Sequence, residues 1–187
     1  VDLIKPQITD VGIYSDNPYP NLAKSDDNIT LVFKTSEEVL NPNVNLLGEQ
    51  AVVESFVKNS KTHWKASVTV KNDSQAGITN FIINTRDPAG NVSDIKSATD
   101  NDSSVTVDLI KPQITDVGIY SDNPYPNLAK SDDNITLVFK TSEEVLNPNV
   151  NLLGEQAVVE SFVKNSKTHW KASVNVKDVS QEGITAF

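Results

Sequence analysis

The sequence predicts an all-β chain: two tandem antiparallel β-sandwiches of seven strands each, the second truncated before its last strand. Three observations predict it. They are a long internal repeat, apolar residues that alternate with polar ones inside each copy, and turn-forming clusters between the alternating runs. Val1–Gln7 recurs as Val107–Gln113, an offset of 106, and residues 1–68 and 107–174 are identical. Of 81 aligned positions 76 match; the exceptions are Thr69/Asn175, Asn72/Asp178, Asp73/Val179, Ala76/Glu182 and Asn80/Ala186. Two domains with separate tasks would have diverged further. The repeat divides the chain into residues 1–106 and 107–187, with 1–6 and 107–112 as linkers. A period one whole domain long makes an array of beads and not a solenoid of short units. The second copy stops at the equivalent of Phe81, and the chain has no Met, so it is expected to be an internal piece of something longer.

Within one period the strands are expected at about 7–15, 29–36, 43–47, 51–58, 62–71, 77–86 and 103–108. The first runs from the linker to the turn cluster Asn17-Pro18-Tyr19-Pro20-Asn21. In the second, Ile29, Leu31 and Phe33 alternate with Thr30, Val32 and Lys34, the period of a half-buried strand. The third follows Asn41-Pro42-Asn43, and the fourth ends in Lys58-Asn59-Ser60. In the fifth, Trp64, Ala66, Val68 and Val70 share one face, and His63, Lys65, Ser67 and Thr69 the other. Asn72-Asp73-Ser74 closes that strand. Phe81 and Ile83 mark the inner face of the sixth, which ends in Asp87-Pro88-Ala89-Gly90-Asn91, and Val105 and Val107 mark the seventh. No segment carries a sustained helical period with caps. Seven short strands in ~100 residues, with turns every 8–12, is the pattern of an immunoglobulin-like sandwich.

Composition excludes several functions. Net charge is 16 − 25 = −9, and Arg86 is the only arginine, so the basic footprint of a nucleic-acid binder is missing. No run approaches the ~18 apolar residues of a membrane span, and no signal peptide opens the chain. Zero Cys removes disulfides, thiolate nucleophiles and Cys-ligated zinc together. His63 and His169 are the only histidines, one per copy; catalysis would need a nucleophile and an orienting acid within reach of each, so no enzyme is expected.

The stretches Ala23-Lys24-Ser25-Asp26-Asp27-Asn28-Ile29-Thr30-Leu31, Thr35-Ser36-Glu37, Asp87-Pro88-Ala89-Gly90-Asn91 and Ser103-Ser104-Val105-Thr106-Val107-Asp108 resemble the bacterial immunoglobulin-like repeats of large repetitive surface adhesins. The resemblance covers the whole period. One departure is visible: members of that family often have Gly-Asp where this chain has Asp26-Asp27. The resemblance implies a structural repeat of an extended bacterial cell-surface protein (an adhesin stalk, tether or filament), extracellular and without catalysis. Its partners would be adjacent identical repeats in the same chain and neighbouring chains in a filament, with no nucleic acid and no membrane insertion. The alternatives are a repeated carbohydrate- or receptor-binding module and a self-assembling filament subunit completed by strand donation.

Candidate site residues follow from the fold. Strands that alternate in direction bring the incoming linker, the loop between strands two and three, and the loop between the last two strands to one end. That end gathers Asp2, Glu37, Glu38, Asp87 and Asn91, with Asp108, Glu143 and Glu144 as equivalents in the second copy. Hard oxygen donors converging on turns suit Ca²⁺, and related adhesin repeats often bind calcium at domain junctions; no other cofactor is expected. The bland alternative is solvated loop charge, with Asp87 and Asn91 bonding their own turn. Asp73 is replaced by Val179, which argues against an essential ligand there. Tyr19 and its equivalent Tyr125, each bracketed by prolines, are the candidate ligand or interface aromatics, whereas Trp64 has core parity. Asn28, Asn72, Asn91, Asn101 and Asn134 open Asn-x-Ser/Thr triplets, a weak pattern in an Asn- and Ser-rich chain.

Overall fold

The computed structural model describes residues 2–177. It is all-β and forms β-sandwiches of antiparallel sheets. The chain divides into two compact units, Val1–Leu109 and Ile110–Phe187.

Unit 1 carries β1 (Ile8–Ser15), β2 (Leu22–Ala23), β3 (Asn28–Thr35), β4 (Leu40–Leu46), β5 (Glu49–Gln50), β6 (Val52–Ser55), β7 (His63–Thr69), β8 (Gly77–Ile78), β9 (Phe81–Arg86) and β10 (Thr106–Val107). One sheet runs β1-β3-β7-β6 and the facing one β5-β4-β9. Parity decides what lies between them. Phe33 stands opposite Trp64, and Leu31 opposite Ala66, on the inner face of the first sheet. Val44 and Ile83 stand opposite each other on the second. All six side chains are buried, and they merge into one core with Val11, Ile13, Val105 and Val107. Each large aliphatic or aromatic side chain so buried contributes ~1.5–3 kcal/mol, so this core and not the surface charge holds the sandwich.

Three details depart from simple alternation. The expected strand at 77–86 is broken in two because the chain changes partner: β8 pairs with β10, while β9 pairs with β4. Gly77, at φ 105, adopts a backbone conformation that suits glycine at the break. β1 carries a bulge between Thr9 and Gly12, with Asp10 at φ 54, after which Val11 and Ile13 turn inward. The expected strand at 103–108 shortens to Thr106–Val107, and pairs parallel with β2 and antiparallel with β8. Asp26 stands at φ 73, a left-handed backbone conformation that glycine adopts without steric cost.

Unit 2 repeats β1, β3, β6 and β7 as β11 (Ile114–Ser121), β12 (Asn134–Thr141), β15 (Val158–Ser161) and β16 (His169–Asn175), ordered β11-β12-β16-β15. A small hairpin joins β13 (Asn151–Leu152) to β14 (Glu155–Gln156). Local detail recurs too: the ion pair Lys34–Asp10 at 3.0 Å reappears as Lys140–Asp116 at 3.0 Å. The replacements Asp178, Val179, Glu182 and Ala186 lie outside the described residues.

The unit boundary falls after Leu109, beyond the end of the 106-residue period. Val107 is 1% exposed in the core of unit 1 and Leu109 packs against that core, so the residues that open the second copy in the sequence close the first sandwich in space.

Candidate metal centre

Asp87 begins the tight turn after β9. Its amide donates to Asn91 O at 3.1 Å, and Gly90, at φ 101, donates its amide to Asp87 O at 3.1 Å. The turn folds its first side chain inward. Asp87 is 0% exposed; its Oδ1 accepts from Gly90 N at 2.6 Å and Asn91 N at 2.8 Å, and its Oδ2 from Asn91 Nδ2 at 2.7 Å. Burial pushes this carboxyl up, but the bonds from the Asn91 side chain and the turn's amides outweigh it and hold Asp87 below the usual carboxylate range. Asp87 is therefore held as the carboxylate, with both oxygens accepting from its own turn.

Two other segments converge on it. The incoming strand is tied to the β3–β4 loop by Gln7 N to Ser36 Oγ at 2.9 Å and Ser36 N to Gln7 O at 3.0 Å. Thr35 Oγ1 donates to Glu37 O at 2.7 Å and fixes the turn into that loop. Ahead of β1, Asp2 Oδ1 accepts from Ile4 N at 3.0 Å, and Asn91 Nδ2 reaches Asp2 O at 3.3 Å. The result is that carboxylate oxygens of Asp2, Glu37 and Asp87 all lie within 4.8 Å of one another. No lysine or arginine pairs with any of the three among the described residues. The Glu37 carboxyl is pushed up by desolvation first, and then by the charges of Asp2 and Asp87. Three carboxylates from three segments form an oxygen donor set, and Asn91 Nδ2 beside them donates to Asp87 Oδ2 and to the Asp2 carbonyl. That set fits a hard cation such as Ca²⁺ and offers no nitrogen or sulfur to a softer metal.

The remaining candidates fall elsewhere. Glu38 belongs to no such cluster: its carboxylate pairs with Lys61 Nζ at the surface. In the second copy Glu144 likewise pairs with Lys167, at 3.6 Å. Asp108 lies in unit 1, where its amide donates to Ala23 O at 2.8 Å, while Glu143 lies in unit 2 with a buried Oε1 that has no hydrogen-bond partner. Tyr19 and Tyr125 are 49% and 69% exposed. The Tyr19 loop is held by Tyr19 N to Asn17 Oδ1 at 3.0 Å, and Asn17 is anchored in turn on Asp27 at 2.7 Å. His63 Nδ1 lies 3.1 Å from Ser60 Oγ and 3.0 Å from Thr62 Oγ1, and its ring meets Phe56 edge-on; among the described residues no carboxylate is hydrogen-bonded to it. Trp64 is buried, with its Nε1 unpartnered. Among the described residues no helix is long and apolar enough to cross a membrane.

Sequence reasoning set turn-bonding and ligation by Asp87 as alternatives, whereas in the structure Asp87 bonds its own turn and also stands among the other acids. The signal for it was the Asp-x-x-Gly-Asn spacing itself, which turn chemistry and metal ligation use alike. No protein-family model matches the chain, and no curated protein matches it.

Proposed function

We propose that the chain is a structural segment of an extended bacterial cell-surface protein, a spacer built from near-identical sandwiches and resembling the repeats of adhesin stalks. The observation that carries the reading is that 76 of 81 aligned positions match, and that the four-stranded sheet recurs in both units with the same register. A binding domain duplicated for new specificity diversifies its surface loops. Here the loops are copied along with the core, and copying a unit unchanged adds reach without adding a site. A net charge of −9 spread over both copies keeps such an array soluble and self-repelling.

Calcium has a defined place in this reading. An ion held by Asp2, Glu37 and Asp87 would tether the segment ahead of β1 to the two loops at the same end of unit 1, restricting that segment's freedom at the point where it enters the sandwich. Mutual repulsion among three carboxylates, without a cation to offset it, is the energetic reason for the ion to bind.

Two measurements test the proposal. A glycan array probed with the chain is expected to show no saturable ligand; specific binding would favour the carbohydrate-binding alternative, for which Tyr19 supplies the exposed aromatic. Thermal unfolding with Ca²⁺ and with a chelator tests the ion separately. At free calcium of about 100 times the dissociation constant, binding adds ~2.7 kcal/mol. That shifts the midpoint of a domain of this size by roughly 10 °C. Identical midpoints would remove calcium from the account and leave the spacer reading standing.

A further inference from the structure

In unit 1 the opening and closing segments of the sandwich are bonded directly to each other. The segment after β9 runs along β1 and β2 and meets them in order. Val11 N donates to Asp100 Oδ2 at 2.9 Å, and Asp100 N donates to Val11 O at 2.8 Å. Ile13 N donates to Ser103 Oγ at 2.9 Å. Thr106 N donates to Asn21 O at 2.9 Å, and Asp108 N to Ala23 O at 2.8 Å. The partners rise together, 11 with 100, 13 with 103, 21 with 106 and 23 with 108, so the closing segment runs in the same direction as the opening one. β10 and β2 accordingly pair parallel. The side chains in these contacts are themselves held in place. Lys96 Nζ pairs with Asp100, and Ser103 Oγ donates to Asn101 Oδ1 at 2.6 Å, which turns its lone pairs to the Ile13 amide. Behind the bonds, Val105 and Val107 are buried and Leu109 packs on the core.

We infer that unit 1 is built as a shear clamp, which keeps the sandwich folded when the chain is pulled from both sides. The inference rests on the spacer reading for its use, and on unit 1 alone for its geometry. Tension draws the residues ahead of β1 one way and the residues after β10 the other. Because the two segments run in the same direction, those pulls act at opposite ends of the contact and along its length. The bonds at Val11, Ile13, Asn21 and Ala23 are then loaded together, and none gives way before the rest. Antiparallel terminal segments would present their pulled ends side by side, and their bonds would open one at a time. Each bond is worth a factor of roughly five in an equilibrium constant, so breaking several at once multiplies those factors, whereas peeling meets them singly. Forced unfolding is governed by the unfolding rate and not by stability at rest, so the clamp is read under load. Its failure would lengthen the chain by up to about 350 Å, the extended length of roughly 105 residues.

The test uses the full chain at constant force. The sequence has no Cys, so paired cysteine substitutions at exposed residues place the handles. Ile4→Cys with Lys111→Cys pulls along the clamp. Lys24→Cys with Lys111→Cys pulls at the neighbouring ends of β2 and β10 and peels them apart. Both are recorded in chelator, so that no ion bridges Asp2 to Glu37 and Asp87. At equal force, unit 1 is expected to unfold at least about tenfold more slowly in the first geometry than in the second. Asp100→Ala, which removes the acceptor of the Val11 amide, is expected to speed unfolding about fivefold in the first geometry. It should leave the second unchanged, because peeling begins at Asp108 and reaches Val11 last; a variant that only destabilised the fold would speed both. Equal or reversed rates in the two geometries would overturn the clamp, as would an Asp100→Ala effect of the same size in both. Either result would leave the spacer reading, which scattering tests, untouched.

Discussion

Val107 tests where the first sandwich ends. By sequence it is the first residue of the second copy, whereas in the structure it is 1% exposed, paired with Ala23 on one side and Gly77 on the other. Val107→Ala removes two methyl groups from a closed site. Transfer alone costs ~1.6 kcal/mol at ~0.8 per buried carbon. The cavity left behind raises the loss to about 2 kcal/mol, because a site clamped between β2 and β8 cannot collapse fully. The assay is urea unfolding in a Trp170→Phe background, so that the buried Trp64 alone reports unit 1. A fall in unit 1 stability of about 2 kcal/mol at constant slope is expected, equivalent to roughly 10 °C in melting temperature. A loss below about 0.5 kcal/mol, the range of an exposed linker residue, would refute the claim that this strand completes unit 1.

Other expectations follow from single residues. Asp26→Gly relieves a left-handed backbone at φ 73 and is expected to stabilise unit 1 by about 0.5 kcal/mol, the difference between the left-handed cost and the entropy that glycine adds to the unfolded chain; chemical denaturation reads it. Asp133 is held down to about 2 from 3.8, first by the Asn123 side chain and then by the Lys130 amide. Because the folded value lies below the unfolded one, its contribution is present above pH ~3.8 and is lost as the pH falls toward 2; carboxyl NMR titration of Asn123→Ala should show the value moving back up. Glu37→Gln removes one of three facing acids and should abolish any calcium-dependent rise in melting temperature while leaving the chelated protein folded.

Much of this was legible in the sequence, for a physical reason. Ile29, Leu31, Phe33, Trp64 and Ala66 alternate because each sheet has one dry face, and a period of two is visible without coordinates. The meeting of Asp2, Glu37 and Asp87 followed from strand direction alone. What escaped is chemistry that periodicity does not record. Glu38 pairs with Lys61 instead of joining the three acids, a choice of partner that grouping acids by loop does not record. The segment from Ser93 to Ser104 is held to β1 by Asp100 and Ser103 side chains and not by an apolar stripe, so no alternation announced it. The switch between β8 and β9 depends on which sheet each half joins, which is tertiary information.

The central claim is that these units are repeated for reach. Small-angle scattering on chains carrying increasing numbers of complete 106-residue periods tests it most directly. The spacer account predicts that the maximum dimension grows by a constant increment with each added period, and that calcium narrows the distribution of distances. A radius of gyration that grows only as about the 0.38 power of chain length, the scaling of a compact globule, would contradict it.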